Sequence, residues 1–255
     1  MTATAAVPIQ HRLELLGQTV VVLGGSAGIG FETARRARAE GADVILAARN
    51  PDRLAAAAQE LGALSSTAFD ALNPEQLDRF FDDLPGPVDH VLVTAGGPYY
   101  SLLADIDFDT ALRNLDEELI FPLRLARAAQ PHMRSGGTLI FVSGTGGRHA
   151  APGFALIGAV TAAHQAMIAS LALELAPLRI NLIAAGFVDT PLSASILGDG
   201  LEARREQLRA TLPIGRVVGP QDVAALAVHL MANTALTGAT YDVDGGQQFA
   251  PAAWG

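Results

Sequence analysis

The chain has no lysine: all 17 of its basic residues are arginine. Alone that lack says little, because the composition is rich in Arg and Ala throughout. There is no cysteine either, which excludes disulfides, thiol nucleophiles and thiolate metal sites; no metal is expected. Charge is sparse, at 17% of residues, and the net charge is −9 at pH 7. A nucleic-acid footprint needs a basic face, so that class of partner is excluded. No apolar run is long enough to cross a bilayer. The opening MTATAAVPIQHRLELLG lacks the basic start and long apolar stretch of a secretory signal. A cytoplasmic protein with no membrane partner is the expectation. No Ser/Gly/Pro-rich tract or charge run interrupts the chain, so one domain is expected over residues 1–255. Its 50% hydrophobic content suits a large core.

What is present alternates between strand and helix. Short runs at 19–23, 43–47, 90–93, 138–142 and 180–183 are too apolar to have a wet face, as parallel strands covered on both sides require. Helical stretches lie between them. The first, 28–40, begins at a glycine turn and stops at Gly41. The second, 51–61, has Pro51 in its first turn, where a missing N–H costs nothing. Asn73-Pro74 opens the third, with Asn73 as its cap. Long helices are expected at 107–133, kinked by Pro122, and at 153–176. A last helix at 221–231 precedes a last strand at 238–243. Repeated βα units with right-handed crossovers predict an α/β fold: a single Rossmann-type domain with a doubly wound parallel sheet of about seven strands and helices on both faces.

Residues 19–30, TVVVLGGSAGIG, run from a buried strand into a glycine turn. Gly24, Gly28 and Gly30 answer three demands: a tight turn, close approach of backbone to ligand, and a helix seated close on the sheet. The helix N-terminus then offers N–H groups and a positive dipole to a pyrophosphate. Ser26 and Ile29 belong to the same turn. The second strand ends in Ala47-Ala48-Arg49-Asn50, without the carboxylate that would take the ribose hydroxyls of NAD. Arg49 is either a solvated surface side chain or a fork for a 2′-phosphate, helped by Ser26. A hydrogen bond to a charged group contributes about 1.5–3 kcal/mol, so NADP(H) is expected to be preferred over NAD(H) roughly tenfold or more. Asp70 and Ala71 follow the third strand. Asp70 can accept from an adenine amino group, cap the next helix, or both.

Further pieces carry a family pattern. They are Leu23-Gly-Gly-Ser-Ala-Gly-Ile-Gly30, Phe69-Asp70, Val93-Thr-Ala-Gly96, Ser170-Leu-Ala-Leu-Glu-Leu-Ala-Pro177, Arg179-Ile-Asn181, Ala185-Gly-Phe-Val-Asp-Thr-Pro191 and Val243-Asp-Gly-Gly246. Over nearly its whole length the chain resembles the short-chain dehydrogenase/reductase family. The resemblance implies a nicotinamide cofactor, a small-molecule substrate, and a homodimer or homotetramer built on the two long helices and the last strand. It places Thr94, Ala95 and Gly96 by the ribose. It places Gly186, Val188 and Thr190 at the nicotinamide, with Thr190 and a Val188 backbone group holding its amide.

The departures fall on the chemistry. Counted from the same anchors, the family's catalytic Tyr falls on Ile157 and its Lys on Thr161. The catalytic Ser falls on Gly144, with Ser143 beside it, and the Asn of the long fourth helix, counted back from Pro131, on Glu118. Isoleucine donates no proton, and general acid catalysis typically contributes ~10²–10⁴ in rate. The usual Tyr-Lys carbonyl reductase mechanism is therefore excluded, although cofactor orientation belongs to the nucleotide site. Thr161 keeps a hydroxyl for the ribose but brings no charge. Substitute donors are Tyr99 and Tyr100, otherwise walls of the substrate pocket; Ser143; and His149, otherwise a surface histidine. Arg148, beside His149, could bind an anionic substrate. Glu118 is a further candidate, otherwise paired with an Arg such as Arg124. His164 is expected to turn toward a neighbour or the core.

Two functions follow. One is an NADP(H)-dependent oxidoreductase with a non-standard active site, which uses one of those donors or reduces a substrate needing little acid help, such as an iminium or activated alkene. The other is a catalytically inactive NADP(H)-binding sensor or structural protein. An open cleft holding an ionisable group favours the first, and a cleft plugged by Ile157 the second. The segment 191–213 is expected to be a substrate lid, with Gly198 and Gly200 as hinges and a charged helix at 201–212.

Overall fold

In a computed structural model, residues 13–250 are described. The first twelve residues, most of the opening discussed above, lie outside the described residues. Strand β1 (Thr19–Leu23) shows how the core is divided. Alternate side chains on a strand point to opposite faces, so Val20 and Val22 enter one apolar layer and Val21 and Leu23 the other. The first layer is covered by α1 (Gly28–Ala39), α2 (Pro51–Leu61) and α9 (Pro220–Ala232). The second is covered by α3 (Pro74–Asp82), α5 (Phe121–Ala129) and α6 (Ala155–Glu174).

The sheet has seven strands, all paired in parallel. In chain order they are β1, β2 (Asp43–Ala48), β3 (Ser65–Ala68), β4 (Val88–Val93), β5 (Met133–Gly144), β6 (Arg179–Ala185) and β7 (Thr240–Val243). Their spatial order is β3-β2-β1-β4-β5-β6-β7. The direction of winding reverses between β1 and β4. That point leaves a crevice outside the carboxyl ends of the two strands, where open α/β sheets bind ligands. The doubly wound parallel fold expected from the sequence is the fold observed.

Local chemistry sets the element ends. The Asn50 side chain accepts from the Arg53 N–H at 2.9 Å and opens α2; Asn73 accepts from Gln76 N–H at 3.0 Å and opens α3. At its far end α9 is closed by a buried cation. Arg179 donates to the carbonyls of Leu230 at 2.6 Å, Met231 at 2.8 Å and Asn233 at 3.0 Å, at the negative end of that helix's dipole.

Three expectations need correction. The helix expected at 107–133 is broken. It runs as α4 (Phe108–Leu115), a π turn over Asp116–Ile120, then α5, and Met133 already belongs to β5. Pro122 produces this widened turn instead of a simple kink. It has no N–H to give the carbonyl four residues earlier, which is that of Glu118. Strand β5 is longer than 138–142, because Met133 pairs with Val88 across a register shift. Finally, α6, at 20 residues, is long and apolar enough to span a bilayer by length and composition. Here it packs on the sheet through Ile168 and Leu171.

Candidate functional site

The turn after β1 is built without room for side chains. Gly24 has φ +93°, and a Cβ there would run into the Thr94 hydroxyl. A Cβ on Gly30 would run into the Gly24 carbonyl, so α1 is seated directly against the turn. Thr94 ties the two strand exits together: its N–H lies 2.9 Å and its hydroxyl 3.1 Å from the Leu23 carbonyl. Gly28 lies against Thr190, whose methyl is 3.4 Å from where its Cβ would be. Ser26 is half-buried in the same turn.

The outer part of this region is open. Arg49 is exposed just past β2 and has no ion pair or hydrogen bond among the described residues. Asp70 is exposed past β3, next to half-buried Ala71. Its carboxylate accepts from the Leu72 N–H at 3.1 Å, turning the chain ahead of α3. The cap of that helix is Asn73 and not Asp70.

The crevice continues into a cleft of about 480 Å³. Ile29, Thr94, Ala95, Gly96 and Tyr100 line it from the β1 and β4 exits; Ser143, Gly144 and His149 line it from the β5 exit. Gly186, Val188 and Thr190 line it after β6, and Ile157 and Glu118 reach it from the helices. The structure thus brings most of the candidate catalytic positions to one place. Of these, Tyr99 and Thr161 do not line the cleft. Tyr99 is turned away, its hydroxyl oxygen accepting the Asp107 N–H at 3.0 Å. Thr161 is buried behind Ile157, and its hydroxyl donates to the Ile157 carbonyl at 2.7 Å. That proton is spent inside α6, which leaves the Thr161 oxygen only as an acceptor for a ribose hydroxyl.

Around the mouth, Tyr100 packs on Phe154 with ring centroids 5.3 Å apart, and His149 on the same ring at 6.3 Å. Arg148 pairs with Asp242 at 2.7 Å. The segment expected as a lid forms α7 (Pro191–Leu197), a short turn at Gly198–Gly200, and α8 (Leu201–Thr211). Leu192, Ile196 and Leu197 face the cleft, as does Arg204 of α8. Thr190 caps α7 in a reciprocal box with Ser193. Arg205 holds Asp189 through two bonds, at 2.7 and 2.9 Å, and so fastens α8 to the loop below the cleft.

Among the lining residues that sequence reasoning missed are Thr145, Phe154 and Gln247. Thr145 follows directly after β5, and Phe154 precedes α6. Gln247 comes in from the last turn and accepts the Phe187 N–H at 2.8 Å. The Gly245-Gly246 pair before Gln247 signals a turn but not its target.

Glu118 is the one carboxylate in the cleft wall among the described residues. It sits in the π turn, with its side chain 14% exposed. A Cβ on Gly96 would be 3.1 Å from its Oε1, which places the carboxyl against the β4 exit loop. Burial, and then the charge of Glu117, push its pKa up to about 7, with the Gly97 N–H opposing. Asn114 fixes that loop by donating to the Gly97 carbonyl at 2.9 Å. The Glu118 backbone carbonyl, left without an N–H by Pro122, meets the Nε2 of His164 at 2.6 Å. Nε2 is also 3.9 Å from the Glu118 carboxylate. Burial lowers the pKa of His164, so near pH 7 the imidazole is neutral while the Glu118 carboxyl is passing between its neutral and charged forms. The expected alternative for Glu118 does not occur, since Arg124 pairs with Asp116 at 3.0 Å.

Comparison with known proteins agrees with this architecture. Residues 24–248 match the family model described as "Enoyl-(Acyl carrier protein) reductase". The chain is 28% identical over 250 residues to the short-chain dehydrogenase/reductase ATR9 of Stachybotrys chlorohalonatus, covering 90% of this chain and 96% of that protein. Its structure resembles the MalC Reductase/Diels-Alderase of Malbranchea aurantiaca, with a TM-score of 0.83 and 25% identity over 92% of this chain and 98% of that one. It also resembles a small-chain dehydrogenase solved in complex with NADPH, with a TM-score of 0.78 and 27% identity over 91% and 99% of the two chains. With its glycine turn at the sheet's switch point and its matches spanning nearly the whole sequence, the chain belongs to the short-chain dehydrogenase/reductase family of oxidoreductases.

Proposed function

We propose that the protein is an NADP(H)-dependent oxidoreductase acting on a small, largely apolar molecule, with an active site that does not use the family's Tyr-Lys pair. The observation that carries this reading is the open cleft of about 480 Å³ at the switch point, with an ionisable carboxyl in its wall. Ile157, where a catalytic Tyr is expected, is only 5% exposed and forms part of the wall without filling the space. A cleft plugged by Ile157 would instead have favoured a binding protein without turnover.

The residues present fit a dinucleotide. Glycine at 24 and 30 lets the turn close on Thr94 and seats α1 against it, so backbone N–H groups at the start of α1 would face a pyrophosphate. Arg49 and Ser26 would hold a 2′-phosphate, Asp70 and Ala71 the adenine, and Thr94, Ala95 and Gly96 the ribose. Gly186, Val188 and Thr190 would meet the nicotinamide. When bound, the dihydronicotinamide supplies a hydride. The chain's own residues orient the substrate between Tyr100, Phe154 and Ile157 and exclude water as α7 and α8 close. MalC is named a reductase, and another relative in structure was solved with NADPH; both names accord with this reading.

Titrating the protein with NADPH and NADH tests it. Tighter binding of NADPH is expected, and Arg49→Ala should weaken NADPH by roughly tenfold or more while NADH changes little. Equal affinities in the wild type would reject the cofactor assignment. NADPH that binds but is never consumed, across carbonyl, enone and imine substrates, would reject the enzyme.

A further inference from the structure

Resting on that reading of the cleft, we propose that Glu118 is its proton donor, in place of the Tyr that Ile157 replaces, and that His164 positions it. Three observations converge. The Glu118 side chain reaches two spaces: the open cleft, and an inner cavity of about 20 Å³ lined also by Ser143 and His164. It therefore stands between the substrate's space and the core, against the loop at Gly96. Next, the backbone at Glu118 is specially shaped. Pro122 withholds an N–H, the helix widens into a π turn, and His164 supplies the missing donor from α6, 46 residues away in sequence. Isolated π turns are rare and frequently mark functional sites. Lastly, Tyr99, Tyr100 and Ser143 fit the role less well. Tyr99 does not reach the cleft. Tyr100 is half-exposed at its mouth, and Ser143 offers only an ordinary alcohol.

Burial and the charge of Glu117 raise the proton affinity of Glu118, and several titratable or charged groups face it. They are Glu117 on the same turn, His164 from α6 and Tyr100 from the β4 exit loop, with His149 and Arg204 on the same cleft. Burial holds the carboxyl protonated up to about pH 7. In a reduction, the hydride of the dihydronicotinamide joins the carbon of a C=O or C=N bond. The π pair of that bond moves to the oxygen or nitrogen, and the Glu118 proton joins the same atom. Glu118 is left as carboxylate and regains its proton from cleft water. The sign follows. Reduction falls as pH rises through about 7, and the reverse oxidation rises over the same interval.

The test uses wild type, Glu118→Gln, His164→Phe and His164→Gln, each checked for folding by its thermal melt. Infrared difference spectra between about pH 6 and pH 8 should show a carboxylic acid titrating in the wild type and absent from Glu118→Gln. NADPH affinity should be unchanged by Glu118→Gln. Turnover on an α-keto ester, an aromatic aldehyde and a neutral cyclic imine, each of which must take up a proton with the hydride, should fall ~10²-fold or more and lose its pH limb. His164→Phe should move the titration midpoint, and His164→Gln, which keeps a donor, should restore it. A carboxyl that titrates in the ordinary range, or full turnover in Glu118→Gln, overturns the proposal alone. No turnover by wild type on any probe, with NADPH bound, overturns the function reading and this proposal with it. An unmoved midpoint in His164→Phe overturns the positioning role.

Discussion

At the scale of single residues, the same two substitutions read differently once their neighbours are known. Ile157 and Thr161 are visible in the sequence as losses. What replaces them is not visible, because it depends on which atoms are already engaged. Thr161 retains a hydroxyl, yet its proton goes to the Ile157 carbonyl 2.7 Å away. Thr161→Val should therefore leave NADPH affinity within about twofold in a binding titration, since a Thr hydroxyl that held the ribose would contribute ~1 kcal/mol or more. A larger loss would return Thr161 to the cofactor. Glu118 shows the converse. Its position could be counted from Pro131, but its chemistry arises from burial, from Glu117 and from the loop at Gly97, none of which has a signature in local sequence. Its raised pKa also bears on stability. The folded state holds the proton more tightly than the unfolded chain, so the contribution is complete below the ordinary carboxyl range, at 4.5, and is lost as pH rises through about 7.

At the scale of elements, apolar runs and glycine turns were legible because burial and backbone conformation constrain them directly. The strands β1, β2, β4 and β6 and the caps of the helices beginning at Pro51 and Pro74 lie where local chemistry puts them. The polar edge strand β3, Ser65–Ala68, is exposed along its length and carries little hydropathy signal. The π turn was illegible for another reason. One proline predicts a lost hydrogen bond, but whether the chain kinks or widens depends on a donor arriving from a distant helix. The lid helices were foreseen as one segment with glycine hinges; their fastening to Asp189 was not. Because Arg205 makes both bonds to Asp189, Arg205→Ala should free α8. Steady-state kinetics on any substrate found should then show KM raised several-fold with a smaller change in kcat, as expected when closure is loosened and the chemistry is left alone. Unchanged KM would mean that α8 is held by its apolar contacts alone.

At the scale of the whole molecule, the seven-stranded sheet and its two apolar layers account for the fold, but they leave apolar side chains outside. Phe108 and Leu112 of α4 are 68% and 63% exposed, and Leu173 of α6 is 82% exposed. Ile120 and Leu123, between them in the chain, are 43% exposed each. Leu123 and Leu173 lie on α5 and α6, which cover the same face of the sheet, and α4 and the π turn lead directly into α5. Exposed apolar patches of this kind mark association surfaces, and the family resemblance places contacts between copies on these helices. Sedimentation equilibrium should find a dimer or tetramer, and Leu112→Glu together with Leu173→Glu should shift it toward monomer. A wild-type monomer at micromolar concentration would end the oligomer expectation.

The polar character of β3 bears on how such an assembly ends. An outer strand with a dry, apolar rim would recruit further chains without limit, whereas Ser65, Ser66 and Thr67 present water-loving groups along that margin. Growth by sheet extension is thereby discouraged on one side.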